Sequence, residues 1–383
     1  MTGRSPDAPL RIALLGLGTV AREVARALTE RVNELRLVTG GRELQLVVLG
    51  VRDPGRSRGL ELPPDLRLTD DLADVAGSPD ADVVVELLGG LDPAEGLLRH
   101  ALESGHGVIT ANKALLARRG LRLEALARSR ELPLRFEAAV GGGIPILGPL
   151  ASDLAANRWS SVRAILNGTT NYILSAMADQ GQPYADVLAD AQARGYAEAD
   201  PAGDVEGRDA ADKLAILTRF AFGSWIDVDA IPRAPDGLDG PGRPGISGVT
   251  GGDLARAREA GLMIRLLAQA SRVDGELRVS VVPTAVATGG GFGRTDGVEN
   301  RIELRGEPIG RVAFSGPGAG GGATSSAVLG DLIAIARGAG SSWAGLPPAI
   351  PARLVADAGR LDGSGPTLRT DTTRYPVLEE QPL

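Results

Sequence analysis

Residues 10–30 constrain this chain more than any other stretch. An apolar run, Leu10 to Leu15, ends at Gly16, and Gly18, Thr19, Val20 and Ala21 follow. This is a G-x-G-x-x-A turn between a strand and a helix. The first glycine permits the tight turn, the second lets the backbone approach a pyrophosphate, and the small third residue lets helix and strand pack closely. The amide groups and dipole at the helix start then meet the phosphate charge. Alone, such a turn says little; strand–helix surroundings give it meaning, and the first 140 residues supply them. Apolar segments at 43–51, 82–90, 107–110 and 132–140 alternate with helical stretches at 19–30, 93–104 and 114–129, the last interrupted by Gly120. That alternation predicts an α/β architecture with a Rossmann-type doubly wound parallel sheet.

After residues 141–149 the texture changes. Helical periods at 151–157, 170–180 and 209–222 mix with a strand at 161–168, a strand at 278–287 and a hairpin at 300–314 turning around Gly306. These read as a second, α+β domain. The expected boundaries are 1–140 for a dinucleotide-binding domain and 141–315 for the second domain. Residues 316–340 form a glycine loop and a helix returning to the first domain. Residues 341–383, rich in proline, serine and glycine, read as a linker or loosely packed tail.

Composition removes several classes of function. There is no cysteine among the 383 residues, which excludes disulfides, a cysteine-based zinc site, an iron–sulfur cluster and a cysteine nucleophile. A net charge of -7 repels phosphate backbones, so no nucleic-acid partner is expected. No apolar run reaches membrane-spanning length, and the N-terminus lacks a secretory pattern, so a cytoplasmic protein with no membrane partner is expected. Lysine occurs only twice, at Lys113 and Lys213, so all but two of the 41 basic residues are arginine. A lysine kept in such a chain reads either as chance or as a place that arginine cannot fill, because a lysine can lose its proton and act as an acid or base and a guanidinium cannot. The two histidines, His100 and His106, fall in a helix-to-turn segment and suggest a cap or surface role.

The candidate chemistry gathers in a few segments. At the end of the second strand, Arg52, Arg56 and Arg58 favour a ribose 2′-phosphate, while Asp53 keeps a free 2′-hydroxyl open; NADP or NAD remains the choice. Thr110-Ala111-Asn112-Lys113 lies at the carboxyl end of the fourth strand, where ligands of open α/β sheets bind. Asp209 and Lys213 are four apart on one helix and share a face. They read either as a surface ion pair or, in a water-poor cleft, as a proton carrier with its support; Glu198 is then free to hold a cationic group. The loop Glu137 to Pro145 reads either as an interdomain hinge or as carbonyl ligands for a hard cation beside Glu137.

These segments resemble homoserine dehydrogenase. GLGTVA, TANKALLA, FEAAVGGGIPI, LNGTTNYIL, GYAEADPAGDVEGRDAADKLAIL and GPGAGGGATSSAVLGDL follow in that family's order across residues 10–338. The resemblance implies interconversion of L-homoserine and L-aspartate 4-semialdehyde with NAD or NADP, within threonine, methionine and isoleucine biosynthesis. It implies Lys213 as proton donor and acceptor, Asp209 as its support, Glu198 on the substrate, and Lys113 between cofactor and substrate. Thr169 and Asp204 join them as candidate substrate contacts. Gly16, Gly18, Thr19, Val20, Arg52 and Gly318 join Lys113 as candidate cofactor contacts. A structural cation, sodium in the family, is expected near Glu137 and the carbonyls of Val140, Gly142 and Ile144. A homodimer through the second domain is expected too. Many members append a regulatory domain; residues 339–383 are too few for one, so feedback through such a domain is not expected. Ala21 stands where a third glycine is more usual.

Two other readings compete: a dehydrogenase of a different hydroxy amino acid, and a non-catalytic NAD(P)-sensing protein. Reducing an aldehyde to an alcohol needs hydride delivery and a proton donor but no covalent nucleophile. Dehydrogenases that oxidise aldehydes through a thioester are excluded by the missing cysteine.

Overall fold

The computed structural model describes residues 8–56, 59–237, 240–350, 352, 354–355, 366–370 and 373–378. Arg58, one of the arginines named above, lies outside the described residues. The chain divides into two compact units, Met1–Ala155 with Ala319–Pro348, and Ala156–Gly318 with Ala349–Leu383.

The first unit is built on six parallel strands: β1 (Leu10–Leu15), β2 (Leu44–Gly50), β3 (Arg67–Thr69), β4 (Val83–Glu86), β5 (Gly107–Thr110) and β6 (Leu134–Arg135). Their order is β3-β2-β1-β4-β5-β6, so the direction of winding reverses beside β1, where dinucleotides bind. The apolar strand residues form the core: Ile12, Leu14, Leu49 and Val85 are buried together with Val24 and Leu28 of the helix Thr19–Glu30. The helix Gly321–Ala336 belongs to this unit and adds Val328, Leu332 and Ile335 to the same core.

Several sequence expectations change here. The run 82–90 stops being strand at Glu86, because that side chain accepts the amides of Leu88 and Gly89 and turns the chain out of the sheet. The expected strand 132–140 shrinks to two residues followed by a 3-10 turn, Glu137–Ala139. There the Asp331 carboxylate takes the Glu137 amide and the Arg135 guanidinium, drawing the backbone to the helix Gly321–Ala336 rather than to a neighbouring strand. Gly120 does not interrupt the helix Lys113–Ser129; buried packing outweighs its weak helix propensity. The helix expected at 151–157 lies at Leu147–Ala151. His106 is buried, not superficial, and burial lowers its pKa.

The second unit holds a mixed sheet in the order Gly310–Pro317, Glu299–Glu307, Arg158–Ile165, Leu262–Val273, Glu276–Ala287 and Leu354–Val355. The hairpin turns at Pro308 and Ile309, not at Gly306. Gly306 sits within the strand at a bulge, where a β-carbon would lie 2.6 Å from the Arg158 carbonyl oxygen. The helix Arg208–Phe222 lies against one sheet face: a β-carbon on Gly207 would be 3.1 Å from Val281 and 3.8 Å from Leu266.

The tail is not loosely packed where it is described. Trp343 is buried in the first unit with its ring 5.5 Å from that of Phe136. In the second unit, Thr367–Arg369 and Thr373–Pro376 pair with each other, and Leu378 joins Ile165, Leu267, Val286 and Phe292. Polar composition concealed a few large anchors: Trp343, Tyr375 and Leu378 bury enough apolar surface to hold the segment. Tyr375→Ala is expected to lower stability by about 3 kcal/mol. Leu37→Ala, at a side chain 83% exposed, should cost under about 0.5 kcal/mol. Urea unfolding of both variants checks this, and equal small losses would return the tail to a loose extension.

Candidate active site

The first unit carries a cleft of about 850 Å³ at the carboxyl ends of its strands, lined among others by Gly16, Gly18, Arg52 and Asp53. Gly16 has φ +93°, and a β-carbon there would lie 3.2 Å from the Leu87 carbonyl oxygen, so both its dihedral and its space demand glycine. Gly18 precedes the helix Thr19–Glu30, and no side chain caps that helix. The amides around Thr19 and Val20 are therefore open to an anion. Ala21 is fully buried, as the packing role of the third small residue requires. The Asp53 carboxylate accepts the Gly55 amide at 3.0 Å, whereas the Arg52 guanidinium bonds to no group among the described residues.

A buried carboxylate, which sequence reasoning missed, organises the loops over this cleft. Glu86 accepts from the amides of Leu88 (2.7 Å) and Gly89 (3.0 Å) and from the Thr110 hydroxyl (2.5 Å). The Thr110 hydroxyl accepts the Asn112 amide at 3.0 Å. The Asn112 side chain donates to the Gly90 carbonyl and accepts the Leu115 amide, capping the helix that begins at Lys113. One carboxylate thus ties the cleft-lining loop after β4 to the loop that presents Lys113. An acidic residue closing an apolar strand was the available signal.

In the second unit the structure brings Lys213, Asp209 and Asp204 together. Lys213 is 8% exposed, which removes the surface-pair reading. Its Nζ donates to Asp209 Oδ2 at 2.7 Å and to the Leu166 carbonyl at 2.7 Å. An ammonium has three hydrogens, so one is left after these two bonds. Asn167, unremarked in the sequence, donates from Nδ2 to Asp204 Oδ1 at 2.7 Å and to Asp209 Oδ2 at 2.9 Å. Thr169 lies in the first turn of the next helix, Gly168–Gln180, and its hydroxyl is turned to the Tyr196 carbonyl (2.6 Å). Glu198 is exposed on the following loop, whose carbonyls at Glu198 and Ala199 accept the Gln192 side chain. Lys113 belongs to the first unit with the cofactor residues, and Gly318 to the second. Gly318 packs on the buried Asn300 side chain, where a β-carbon would lie 2.1 Å from the Asn300 Cγ.

Glu137 caps a helix start: Oε1 accepts the amides of Ile146 (2.6 Å) and Leu147 (2.8 Å), and Oε2 that of Gly148 (2.7 Å). The carbonyls of Val140, Gly142 and Ile144 are on buried residues and accept no hydrogen bond among the described residues. Among those residues there is no cluster of three or more His, Asp or Glu fit for a metal. The donor set is one of neutral hard oxygens with one partly engaged carboxylate, which suits a weakly charged hard cation and not a transition metal.

Glu86→Gln places an N–H against the Thr110 hydroxyl, which already accepts from Asn112, and orphans the hydroxyl hydrogen. Dinucleotide affinity is expected to fall about tenfold, equivalent to about 1.4 kcal/mol. Fluorescence titration of reduced dinucleotide against native and variant protein measures it; an unchanged dissociation constant would strip Glu86 of this organising role.

Comparison with known proteins agrees across both units. Residues 16–137 match the family described as homoserine dehydrogenase, NAD binding domain, and residues 145–333 the family described as homoserine dehydrogenase. A homoserine dehydrogenase of Synechocystis sp. is 41% identical over 330 residues, covering 85% of this chain and 73% of that protein. One from Mycobacterium tuberculosis is 42% identical over 336 residues, 86% of this chain and 73% of its own. The fold superimposes on a homoserine dehydrogenase from Thiobacillus denitrificans with a TM-score of 0.82 at 36% identity, over 90% of this chain and 80% of that one. A hyperthermophilic archaeal homoserine dehydrogenase in complex with NADPH gives 0.68 at 25% identity, over 85% and 97%. With a dinucleotide cleft in one unit, a buried lysine–aspartate pair in the other, and relatives at this identity along most of its length, the chain belongs to the homoserine dehydrogenase family.

Proposed function

We propose that Lys213 is the proton carrier in the interconversion of L-homoserine and L-aspartate 4-semialdehyde, with Asp209 as its support. The supporting observation is the hydrogen inventory at Nζ: two hydrogens are engaged by Asp209 and Leu166, and the third has no bond among the described residues and is assigned to the substrate oxygen. The dinucleotide supplies or takes the hydride. As the carbonyl carbon gains that hydride, its oxygen gains the Nζ hydrogen, giving the alcohol and a neutral amine at 213; oxidation of homoserine runs the same steps backwards. The Asp209 carboxylate offsets the ammonium charge in this buried place and keeps Nζ from rotating. Glu198 and Asp204 are assigned to the substrate's ammonium group, Thr169 to its polar tail, and Lys113 to the boundary of cofactor and substrate. The setting is cytoplasmic synthesis of threonine, methionine and isoleucine.

For the nucleotide, Gly16, Gly18, Thr19 and Val20 would hold the pyrophosphate, and Gly318 is assigned to the cofactor as well. The unengaged guanidinium of Arg52, beside an Asp53 carboxylate already turned to Gly55, favours NADP over NAD. Sodium at the carbonyls of Val140, Gly142 and Ile144, with the remaining lone pair of Glu137, would brace the loop and take no part in the chemistry. The nucleotide is assigned to the unit Met1–Ala155 with Ala319–Pro348 and the substrate to the unit containing Ala156–Gly318, which shifts the expected breaks at 140 and 315.

The homodimer draws support from the sheet of the second unit. Strand alternation puts Arg163, Gln269, Ser271, Ser280 and Glu303 on the face opposite Val281 and Leu266. Ser271 Oγ and Ser280 Oγ are buried without a hydrogen bond among the described residues, each at a cost of about 1–3 kcal/mol. Glu303 Oε2 makes no hydrogen bond there but lies 3.6 Å from the Arg311 and 3.9 Å from the Arg301 guanidinium. A second copy laid on this face would supply partners.

Lys213→Ala is expected to lower turnover by more than about a hundredfold while dinucleotide affinity stays within about twofold. Lys213→Arg should recover little, because a guanidinium holds charge but does not release its proton. Nicotinamide absorbance with homoserine, run separately with NAD and NADP, measures this and the preference; near-native turnover in the alanine variant would end the assignment. Ser271→Trp should convert a dimer to monomer in sedimentation velocity, and an unchanged dimer would move the interface elsewhere.

A further inference from the structure

We infer that Asn167 is a positioning residue for the proton carrier: its amide bridges two aspartates and so aims Asp209 at Lys213. This rests on the reading of Lys213 above and extends it to a residue that touches neither substrate nor cofactor there.

The argument starts from the amide's inventory. Asn167 has two N–H hydrogens and one carbonyl oxygen. Both hydrogens go to carboxylates on different helices: Asp204 Oδ1 in Ala202–Val205 and Asp209 Oδ2 in Arg208–Phe222. The carbonyl oxygen accepts the Thr170 amide at 2.8 Å and caps the helix Gly168–Gln180. Asn167 is 5% exposed, so water does not compete for these bonds. The same Asp209 oxygen receives the Asn167 amide and the Lys213 ammonium.

Residue type matters as much as place. Two carboxylates converging on one side chain repel each other, and a neutral double donor between them relieves this without adding a titratable group. An aspartate here would put three acids together, and a serine reaches too short a distance to bridge. Without the bridge, Asp209 loses one of the bonds that orient Oδ2 toward Nζ, and the contact that fixes where the third ammonium hydrogen points is weakened. A misplacement of about 1 Å at a reacting group costs on the order of a hundredfold in rate.

The capping role offers a competing, purely structural account, and two substitutions separate them. Serine and aspartate both cap helices about as well as asparagine, so Asn167→Ser and Asn167→Asp keep the cap and lose the bridge. Residue 167 bonds to the charged groups Asp204 and Asp209 and, through Asp209, meets Lys213; the first turn of its own helix carries the neutral Thr169, Thr170 and Asn171. In Asn167→Asp, the crowding of three carboxylates raises the affinity for one shared proton. At low pH that proton restores one donor.

The experiment measures kcat, KM for NADP and for homoserine, and thermal midpoint for native, Asn167→Ser, Asn167→Asp and Lys213→Ala proteins. Expected for Asn167→Ser is a kcat lower by between about ten- and a hundredfold, with the KM for NADP and the thermal midpoint near native. Asn167→Asp should be more impaired at about pH 8 and recover relative to native towards about pH 6. An Asn167→Ser kcat within about twofold of native, or an Asn167→Asp deficit that does not change with pH, overturns the bridge. Should Lys213→Ala itself turn over normally, the proton-carrier reading falls first; an inactive Lys213→Ala beside a native-like Asn167→Ser removes the bridge alone.

Discussion

A buried ammonium has to be given partners, and the second unit is arranged around that requirement. Leaving a charge unpaired in a water-poor interior costs several kcal/mol, so Lys213 fixes what must stand near it. Asp209 comes from one turn earlier on the same helix, which spacing alone provides. The Leu166 carbonyl comes from the chain just past the strand Arg158–Ile165, where the ladder has ended and a backbone oxygen is available. Asn167 follows, caps the next helix and reaches back to both aspartates. The end of a strand, the starts of two helices and a buried amine are therefore one hydrogen-bonded unit, and none can shift alone.

The first unit solves a related problem with the opposite charge. Glu86 is wholly buried at the end of β4 and is satisfied by two amides and a hydroxyl instead of a cation. Those donors belong to the loops after β4 and β5, so the carboxylate sets the shape of the cleft wall and the start of the Lys113 helix together. In both units a buried ionised group selects the geometry of neighbouring loops, while apolar packing of sheet and helices supplies the stability. Asp331 shows the tension in this device: burial pushes its pKa up to about 6, against the pull of Arg135.

What could be read from the chain had a local cause. Gly16 was legible because a tight turn with φ +93° restricts the residue type there, and Gly18 because it stands just before the helix Thr19–Glu30. Lys113 and Lys213 stood out because arginine fills nearly every other basic position, and Asp209 because four residues make one helical turn. The tail was misread because composition averages over a segment, whereas Trp343, Tyr375 and Leu378 act singly. Gly306 was misread because glycine marks bulges in strands as well as turns, and only the opposing Arg158 backbone distinguishes them.

Asn167 and Glu86 mark the boundary of such reading. Asn167 bonds partners 37 and 42 residues away, and Glu86 a hydroxyl 24 residues on; no periodicity links positions so separated. The order of amino acids settled the turn chemistry, the alternation of strands and helices, and which side chains were capable of moving a proton. Which carboxylate faces which donor was settled only on folding, because hydrogen bonds between distant segments depend on where packed sheets and helices bring their ends.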